Sequence, residues 1–219
     1  MLTFYCGTGG KSKYDAIAIE EGWELGVRSC GRYNPVPSLT NFVDNDWENY
    51  NHYRHLEMVK RVKPKLATAR DICCIDDFDE ILTEAEQIAR FCQFGVILIP
   101  KVAVRIPDLD FNYILGFSVP TRYGRCDLPL SYFGDSPVHL LGGSPYRQLE
   151  YSRLLNVVSL DCNTFMLLAK YGKSTWPDAS PREQKLASSC YGAFRVSVQR
   201  TKQYWSHYDD AARTLPTIL

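Results

Sequence analysis

Three aspartates each follow a short apolar run: Asp44 after Asn41-Phe42-Val43, Asp71 after Ala67-Thr68-Ala69-Arg70, and Asp161 after Val157-Val158-Ser159-Leu160. A carboxylate at a strand exit can attack an electrophilic carbon, move a proton, or accept a hydrogen bond from a ligand's donor edge. Strand ends on one face of a βα barrel converge, so the three can meet. They also have plain structural uses. Asp44 can cap a helix at Trp47, Asp71 can pair with Arg70 or Lys65, and Asp161 can cap the helix expected over 163–171.

The stretch 138–163 is the most informative part of the chain. Val138 to Leu141 reads as a strand stopped by Gly142-Gly143. Ser144-Pro145 is an N-cap followed by proline at the first helical position, with Leu149, Leu154 and Leu155 as a buried face, and the strand ending in Asp161 comes next. The same rhythm recurs elsewhere. Strands are expected at Leu2–Cys6, Ala16–Ile19, Leu25–Arg28, Phe42-Val43, Leu66–Ala69, Val96–Ile99 and Tyr113–Phe117. Long helices are expected at Trp47–Val62 and Phe78–Phe94, with a short one at Pro129–Phe133. A terminal helix is expected over about 180–204, with Ser180 as its cap and Pro181 in its first turn. Repeated βα units over 219 residues predict one domain spanning 1–219, an α/β fold of the TIM-like (β/α)8 barrel type, compact and irregular. An open doubly wound sheet is the alternative with the same rhythm.

Gly7-Thr8-Gly9-Gly10-Lys11-Ser12 ends like a phosphate-binding loop. That loop needs a glycine five positions before its last one, and the place is taken by Tyr5, so nucleotide triphosphate binding is not expected.

Composition bounds the class. Lys plus Arg and Asp plus Glu both number 25, so the formal net charge is zero, which argues against a tail-driven nucleic-acid binder without excluding a local basic face. No stretch has the length of a membrane span and the N-terminus lacks a signal-peptide pattern, so a cytosolic protein with no membrane partner is expected. The eight cysteines form no CxxC pair and have no histidine at zinc-ligand spacing; they read as reduced, mostly buried residues, with no metal and no cofactor expected.

In order and spacing, Leu140-Leu141-Gly142-Gly143-Ser144-Pro145, the helix, and Ser159-Leu160-Asp161-Cys162 resemble the tRNA-guanine transglycosylase superfamily, especially its smaller DNA-modifying branch. That branch exchanges guanine in DNA for a 7-deazaguanine base such as preQ0. The resemblance covers roughly positions 40–170 and is specific in 138–163. It implies a (β/α)8 barrel with Asp161 as nucleophile and Asp44 as general base, with Asp46 in reserve. It further implies that Asp71 recognises the base, Leu115-Gly116-Phe117 contacts it through the backbone, and Gly142 and Gly143 form the turn beside it. Asn45-Asp46-Trp47 stands where the family has Ser-Gly-Gly, and Ile97-Leu98-Ile99-Pro100-Lys101 replaces its glutamine strand motif. The family's zinc site, which supports tRNA binding in larger members, is absent here, so the resemblance points to double-stranded DNA rather than tRNA.

The implied mechanism has two displacements: Asp161 attacks C1′ and expels guanine, then Asp44 deprotonates the incoming base at N9. The target nucleotide must leave the duplex stack, and Trp47, Phe117 or Tyr146 can stack on it or serve as core. Lys170, Lys173, Arg182 and Lys185, within a basic C-terminal stretch, are candidates for phosphate contacts or a solvated face. A base-exchange enzyme acting on tRNA or free nucleosides, and a non-catalytic DNA-binding subunit, are the alternatives.

Overall fold

The computed structural model describes residues 1–121, 124–179 and 189–214, with side chains described as far as His207. Eight parallel strands close into a barrel in chain order: β1 Leu2–Gly7, β2 Glu24–Arg28, β3 Thr40–Asp44, β4 Leu66–Ile72, β5 Gly95–Pro100, β6 Tyr113–Ser118, β7 Val138–Leu141 and β8 Val157–Cys162. β8 returns to β1 with Asp161 opposite Phe4, which makes the fold a TIM-like (β/α)8 barrel and excludes the open sheet.

Alternation along the strands divides the apolar residues between two layers. Phe4, Phe42, Leu66, Ile97 and Ile99 fill the interior, joined by Leu2, Cys6, Ile114 and Leu141. Phe4 stacks on Phe42 at 5.0 Å between ring centroids. The residues between them in sequence, such as Tyr5, Leu25, Val27, Val43 and Ala67, face outward into the larger core under the helices. Full burial of each such large side chain contributes about 1.5–3 kcal/mol, so the two layers together hold the barrel closed.

The helices are α1 Lys13–Glu20, α2 His52–Val62, α3 Phe78–Ala89, α4 Pro145–Ser152, α5 Thr164–Ala169 and α6 Cys190–Thr214. The chain closes a full barrel at this length because some crossovers are abbreviated. Only a 3-10 turn, Pro37–Leu39, joins β2 to β3, residues 101–112 join β5 to β6 without a helix, and the β6 to β7 connection carries the 3-10 turn Leu130–Tyr132. The closing seam is covered by α6, whose Phe194 meets Tyr5 edge-on at 5.0 Å, while Trp23 donates its indole N–H to the Val198 carbonyl at 2.8 Å.

Several sequence expectations need correction. Ala16–Ile19, expected as a strand, lies inside α1: Ser12 and Asp15 form a capping box that starts a helix, and Ile17 and Ala18 are its buried face. The helix expected from Trp47 starts only at His52, where Asn51 caps it by accepting from the Arg54 N–H at 2.9 Å. The helix expected to reach Phe94 stops at Ala89, and Leu154 is exposed while Leu149 and Leu155 are buried. The terminal helix starts at Cys190 and runs beyond Tyr204 to Thr214; the expected cap at Ser180 and Pro181 lies outside the described residues. Among the cysteines, all unpaired, only Cys162 is buried, while Cys73 and Cys74 are exposed.

The glycine-rich segment after β1 does build a nest of amides, and its occupant is the protein's own carboxylate. Asp15, fully buried, accepts from the backbone N–H groups of Thr8, Gly10, Lys11 and Ser12 and from the Thr8 hydroxyl at 2.5 Å. The donors a phosphate needs are therefore already used. Asp15→Ala strands these amides without an acceptor, and we expect it to cost at least about 3 kcal/mol. A urea unfolding curve with an unchanged midpoint would contradict that expectation.

Candidate active site

The C-terminal ends of the strands open on a cavity of about 650 Å3, and Asp44, Asp71 and Asp161 all line it. Interior positions fall on every second residue, so Asp44 follows Phe42 inward on β3 and Asp161 follows Ser159 inward on β8. Asp71 lies three positions after the inward Thr68, and simple alternation would turn it outward. A register shift between β4 and β5, between Thr68 and Asp71, re-aims it into the mouth. The displaced Arg70 faces α3 instead and pairs with Glu80 and Glu84, at 3.1 and 3.3 Å.

None of the three aspartates has the structural use that the sequence left open. α2 is capped by Asn51 and α5 has Asn163 at its N-cap position, so Asp44 and Asp161 cap neither. Arg70 pairs with glutamates and Lys65 with Glu24, so Asp71 has neither as its partner. Its neighbour is the Lys101 ammonium, 3.5 Å away, which also reaches Ser118 Oγ at 2.5 Å and the Arg125 carbonyl at 3.1 Å.

Asp161 and Asp44 sit in unequal environments. The Gly142 N–H at 3.0 Å and His139 Nε2 at 3.3 Å both address the same oxygen, Oδ1 of Asp161. A backbone N–H can only donate, so Oδ1 accepts from Gly142, and with Asp161 ionised the hydrogen between it and the imidazole sits on Nε2. His139 Nδ1 lies 2.8 Å from Ser159 Oγ, whose hydroxyl is then its donor, and the imidazole stacks on Phe42 at 5.2 Å. This Ser159-His139-Asp161 row has the membership of a hydrolase triad in an unsuitable arrangement: Ser159 is fully buried and does not line the cavity. Gln148, also fully buried, fixes the whole corner by donating to the Gly142 carbonyl at 2.8 Å and the Asp161 carbonyl at 2.7 Å.

Asp44 is less well served. Its Oδ1 accepts one hydrogen bond, 3.1 Å from Thr68 Oγ1, which in turn accepts from the Asn45 N–H at 2.7 Å. Burial, and next the neighbouring Asp161 charge, push its carboxyl up to about 8, against the opposing Thr68 hydrogen bond. Burial also raises Asp71, with Lys101 pulling the other way. The mouth therefore holds one carboxyl that keeps its proton at neutral pH beside one arranged as a hydrogen-bond acceptor.

Other expected residues divide between mouth and core. Gly142 and Gly143 line the cavity at positive φ; a Cβ at Gly143 would fall 2.4 Å from Val119 Cγ1, so this turn needs glycine. Trp47 is half exposed at the rim, with the Arg28 guanidinium 5.7 Å from its ring. Asp46 is not available as a reserve base: it is buried, does not line the cavity and is paired with Arg28, which also reaches Glu48 at 2.7 Å. Gly116 and Phe117 do not line the cavity either. A Cβ on Gly116 would press on Ile97 and Ile99, and the Phe117 ring packs outside the barrel against Phe133 and Tyr151. Tyr146 is exposed and does not line the cavity. Lys170 and Lys173 are exposed and do not line it, and Arg182 and Lys185 lie outside the described residues.

His139 and Gln148 were missed by reading the sequence. A polar residue between Val138 and Leu140 on a short strand is the signal that could have exposed His139; Gln148 looks like any helical glutamine.

Fold and site together define an α/β barrel with a carboxylate-lined mouth. The chain belongs to the family of unknown function DUF6610, which matches residues 18–206. No curated protein matches it. Among solved structures, a truncated form of 3-deoxy-D-arabino-heptulosonate 7-phosphate synthase from Thermotoga maritima is similar at 11% identity and a TM-score of 0.40, over 97% of this chain and 87% of that one. Among the described residues no helix is long and apolar enough to cross a membrane.

The raised Asp44 carboxyl has a consequence for stability. Its folded value lies above the ordinary 3.8, so the native state binds the extra proton between about pH 4 and 8, and stability falls as pH rises through that window. Asp44→Asn removes the burden. We expect the variant's melting temperature to exceed the parent's by a margin that grows from pH 4 to 8 and is flat above; a constant margin would contradict the assignment.

Proposed function

We propose that this protein is a base-exchanging glycosyltransferase that works through a covalent aspartyl-glycosyl intermediate. The observation that supports it is the unequal pair, Asp161 held as an acceptor by Gly142 and His139 while Asp44 carries a proton near neutrality. Two carboxyl groups whose environments differ in this way divide the roles of nucleophile and acid or base.

In the first displacement an Asp161 oxygen bonds to C1′ of the substrate sugar, the bond from C1′ to the base nitrogen breaks, and the Asp44 proton neutralises the departing base. In the second, the incoming base gives its N9 proton to the Asp44 carboxylate, and N9 bonds to C1′ as the bond from C1′ to the Asp161 oxygen breaks, so both aspartates return to their starting states. Retention of configuration follows from two inversions.

The cavity has the volume of a small-molecule site, which suits a nucleobase and its sugar and not a paired duplex, so a nucleic-acid substrate has to present its nucleotide flipped out. Trp47 at the rim offers a stacking face, and Asp71 with Lys101 offers an adjacent acceptor and donor to the base edge. The finer reading, exchange of guanine in DNA for a preQ0-type 7-deazaguanine, rests on the sequence resemblance in 138–163. A second reading, exchange on free nucleosides, is favoured by charge at the mouth. Among the described residues lining it, Arg28 and Lys101 are already ion-paired and Arg147 is the one cation without such a partner.

The test is mass spectrometry of nucleosides after incubating the protein and preQ0 with duplex DNA or with deoxyguanosine. The proposal expects deazaguanine deoxynucleoside with the parent protein and a loss of at least about 1,000-fold with Asp161→Asn, which keeps an acceptor for Gly142 but no nucleophile. Product from DNA that declines with added salt supports the DNA reading, and product from deoxyguanosine alone supports the second. Equal product from parent and variant contradicts the role of Asp161.

A further inference from the structure

The cavity's one cation without an ion-pair partner among the described residues stands on a particular wall. Arg147 lies in the first turn of α4, and with Ser144 and Asn163 it lines the part of the cavity formed where β7 passes into α4 and β8 into α5. Ser144 Oγ accepts the Arg147 N–H at 3.4 Å, which leaves its own hydroxyl hydrogen to donate, and the Asn163 side chain makes no capping bond. This wall is held in place from behind. Gln148 donates to the Gly142 and Asp161 carbonyls, and Thr164 Oγ1 donates to the Gly143 carbonyl at 2.7 Å, so the turn after β7 and the end of β8 are tied together. It presents side-chain donors and a positive charge beside the acidic centre, while the Gly142 amide is already taken by Asp161.

Barrel order says what reaches this wall. β4 and β8 stand four places apart in the ring of eight strands, so Asp71 faces Asp161 across the mouth. A nucleoside with C1′ at Asp161 and its base against Asp71 and Lys101 keeps its sugar ring on the β8 side, and the group on its 5′ oxygen leaves past a neighbouring strand end. Toward β2 that exit meets Arg28, which Asp46 and Glu48 hold. Toward α4 it meets Arg147, whose planar fork of N–H donors matches two phosphate oxygens. One available cation is few for a length of duplex and is the right number for a single phosphate.

We propose that Arg147, with Ser144 and Asn163, forms a subsite for the phosphate on the 5′ oxygen of the reacting sugar. The substrate class is then a 5′-phosphorylated nucleoside, free or as part of a strand. This rests on the reading of Asp161 as nucleophile and of Asp71 and Lys101 as the base side. Arg147 is a specificity residue: it holds the group that distinguishes a nucleotide from a nucleoside and touches no reacting atom.

The test is calorimetric titration of the protein, with no incoming base, against two ligand pairs. One is deoxyguanosine and deoxyguanosine 5′-monophosphate; the other is a short single strand beginning with deoxyguanosine, without and with its 5′ phosphate. The phosphorylated member is expected to bind about 10- to 100-fold more tightly, the range of a hydrogen bond to a charged group. Arg147→Ala removes that preference and leaves the affinity for deoxyguanosine unchanged, and Arg147→Lys, which keeps the charge without the fork, retains part of it. Arg153→Ala, which removes a like charge from the exposed C-cap of the same helix, leaves the preference intact. A preference confined to the mononucleotide pair names free nucleotides as the source, and one that includes the strand pair names nucleic acid. Equal affinity within both pairs, no binding of either phosphorylated ligand, a preference that survives Arg147→Ala, or one that Arg153→Ala removes as fully, overturns the proposal. Binding is read without turnover, so a phosphate preference in a protein that exchanges no base keeps the subsite and removes the proposed activity. Base exchange with equal KM for both members of a pair does the reverse.

Discussion

The structure turns on the repulsion and desolvation of two carboxyl groups, Asp44 and Asp161, brought to one mouth by the closure of the barrel. Burying one ionised carboxylate without full compensation is costly, and burying two side by side is worse. The protein resolves the conflict by asymmetry. Asp161 is supplied with donors from a backbone amide and an imidazole, and Asp44, with one hydroxyl, is left to hold a proton. The apolar floor of Phe4, Phe42, Ile97 and Ile99 stabilises the barrel beneath the pair.

Positioning is done by elements that carry little chemistry themselves. Gln148 on α4 ties the glycine turn after β7 to the end of β8, so the amide that serves Asp161 cannot drift from it. A register shift in β4 turns Asp71 inward and sends Arg70 to α3. Two glycines make room: Gly26 for the sulfur of Cys6, and Gly143 for Val119. Substitutions at such places act on the site through geometry, because strand ends in a closed barrel cannot move singly.

Much of this was legible in the sequence, and the rest was hidden for identifiable reasons. Apolar runs at regular spacing gave seven of the eight strands at nearly their observed places, and β8 followed from the run before Asp161, because a buried parallel strand has little choice of composition. Ala16–Ile19 misled because a short apolar stretch fits strand and helix alike, and the Ser12-Asp15 cap that decides for helix is a local hydrogen-bond pattern. The three mouth aspartates were visible as polar residues closing apolar runs. Their convergence was an inference from barrel closure; Asp71 arrived through an irregularity that no periodicity reveals. Phe117 falls on the helix-layer side of β6 because a strand's faces differ by one residue, while Gly116 faces the interior but is packed against Ile97, Ile99 and Leu141 and does not line the cavity. His139 escaped notice as an isolated polar residue in an apolar strand, since its partners Ser159 and Asp161 lie far away in sequence.

The central claim is that Asp161 becomes covalently attached to the substrate sugar. It is tested most directly by incubating the protein with a guanine-containing DNA oligonucleotide or with deoxyguanosine, quenching in acid, and measuring intact mass followed by peptide mapping. The account predicts a protein species heavier by one deoxyribosyl unit or by the base-free oligonucleotide, with the added mass on the peptide containing Asp161. An adduct mapped to another residue, or base exchange proceeding with no adduct under conditions that trap a glycosyl ester, would contradict it.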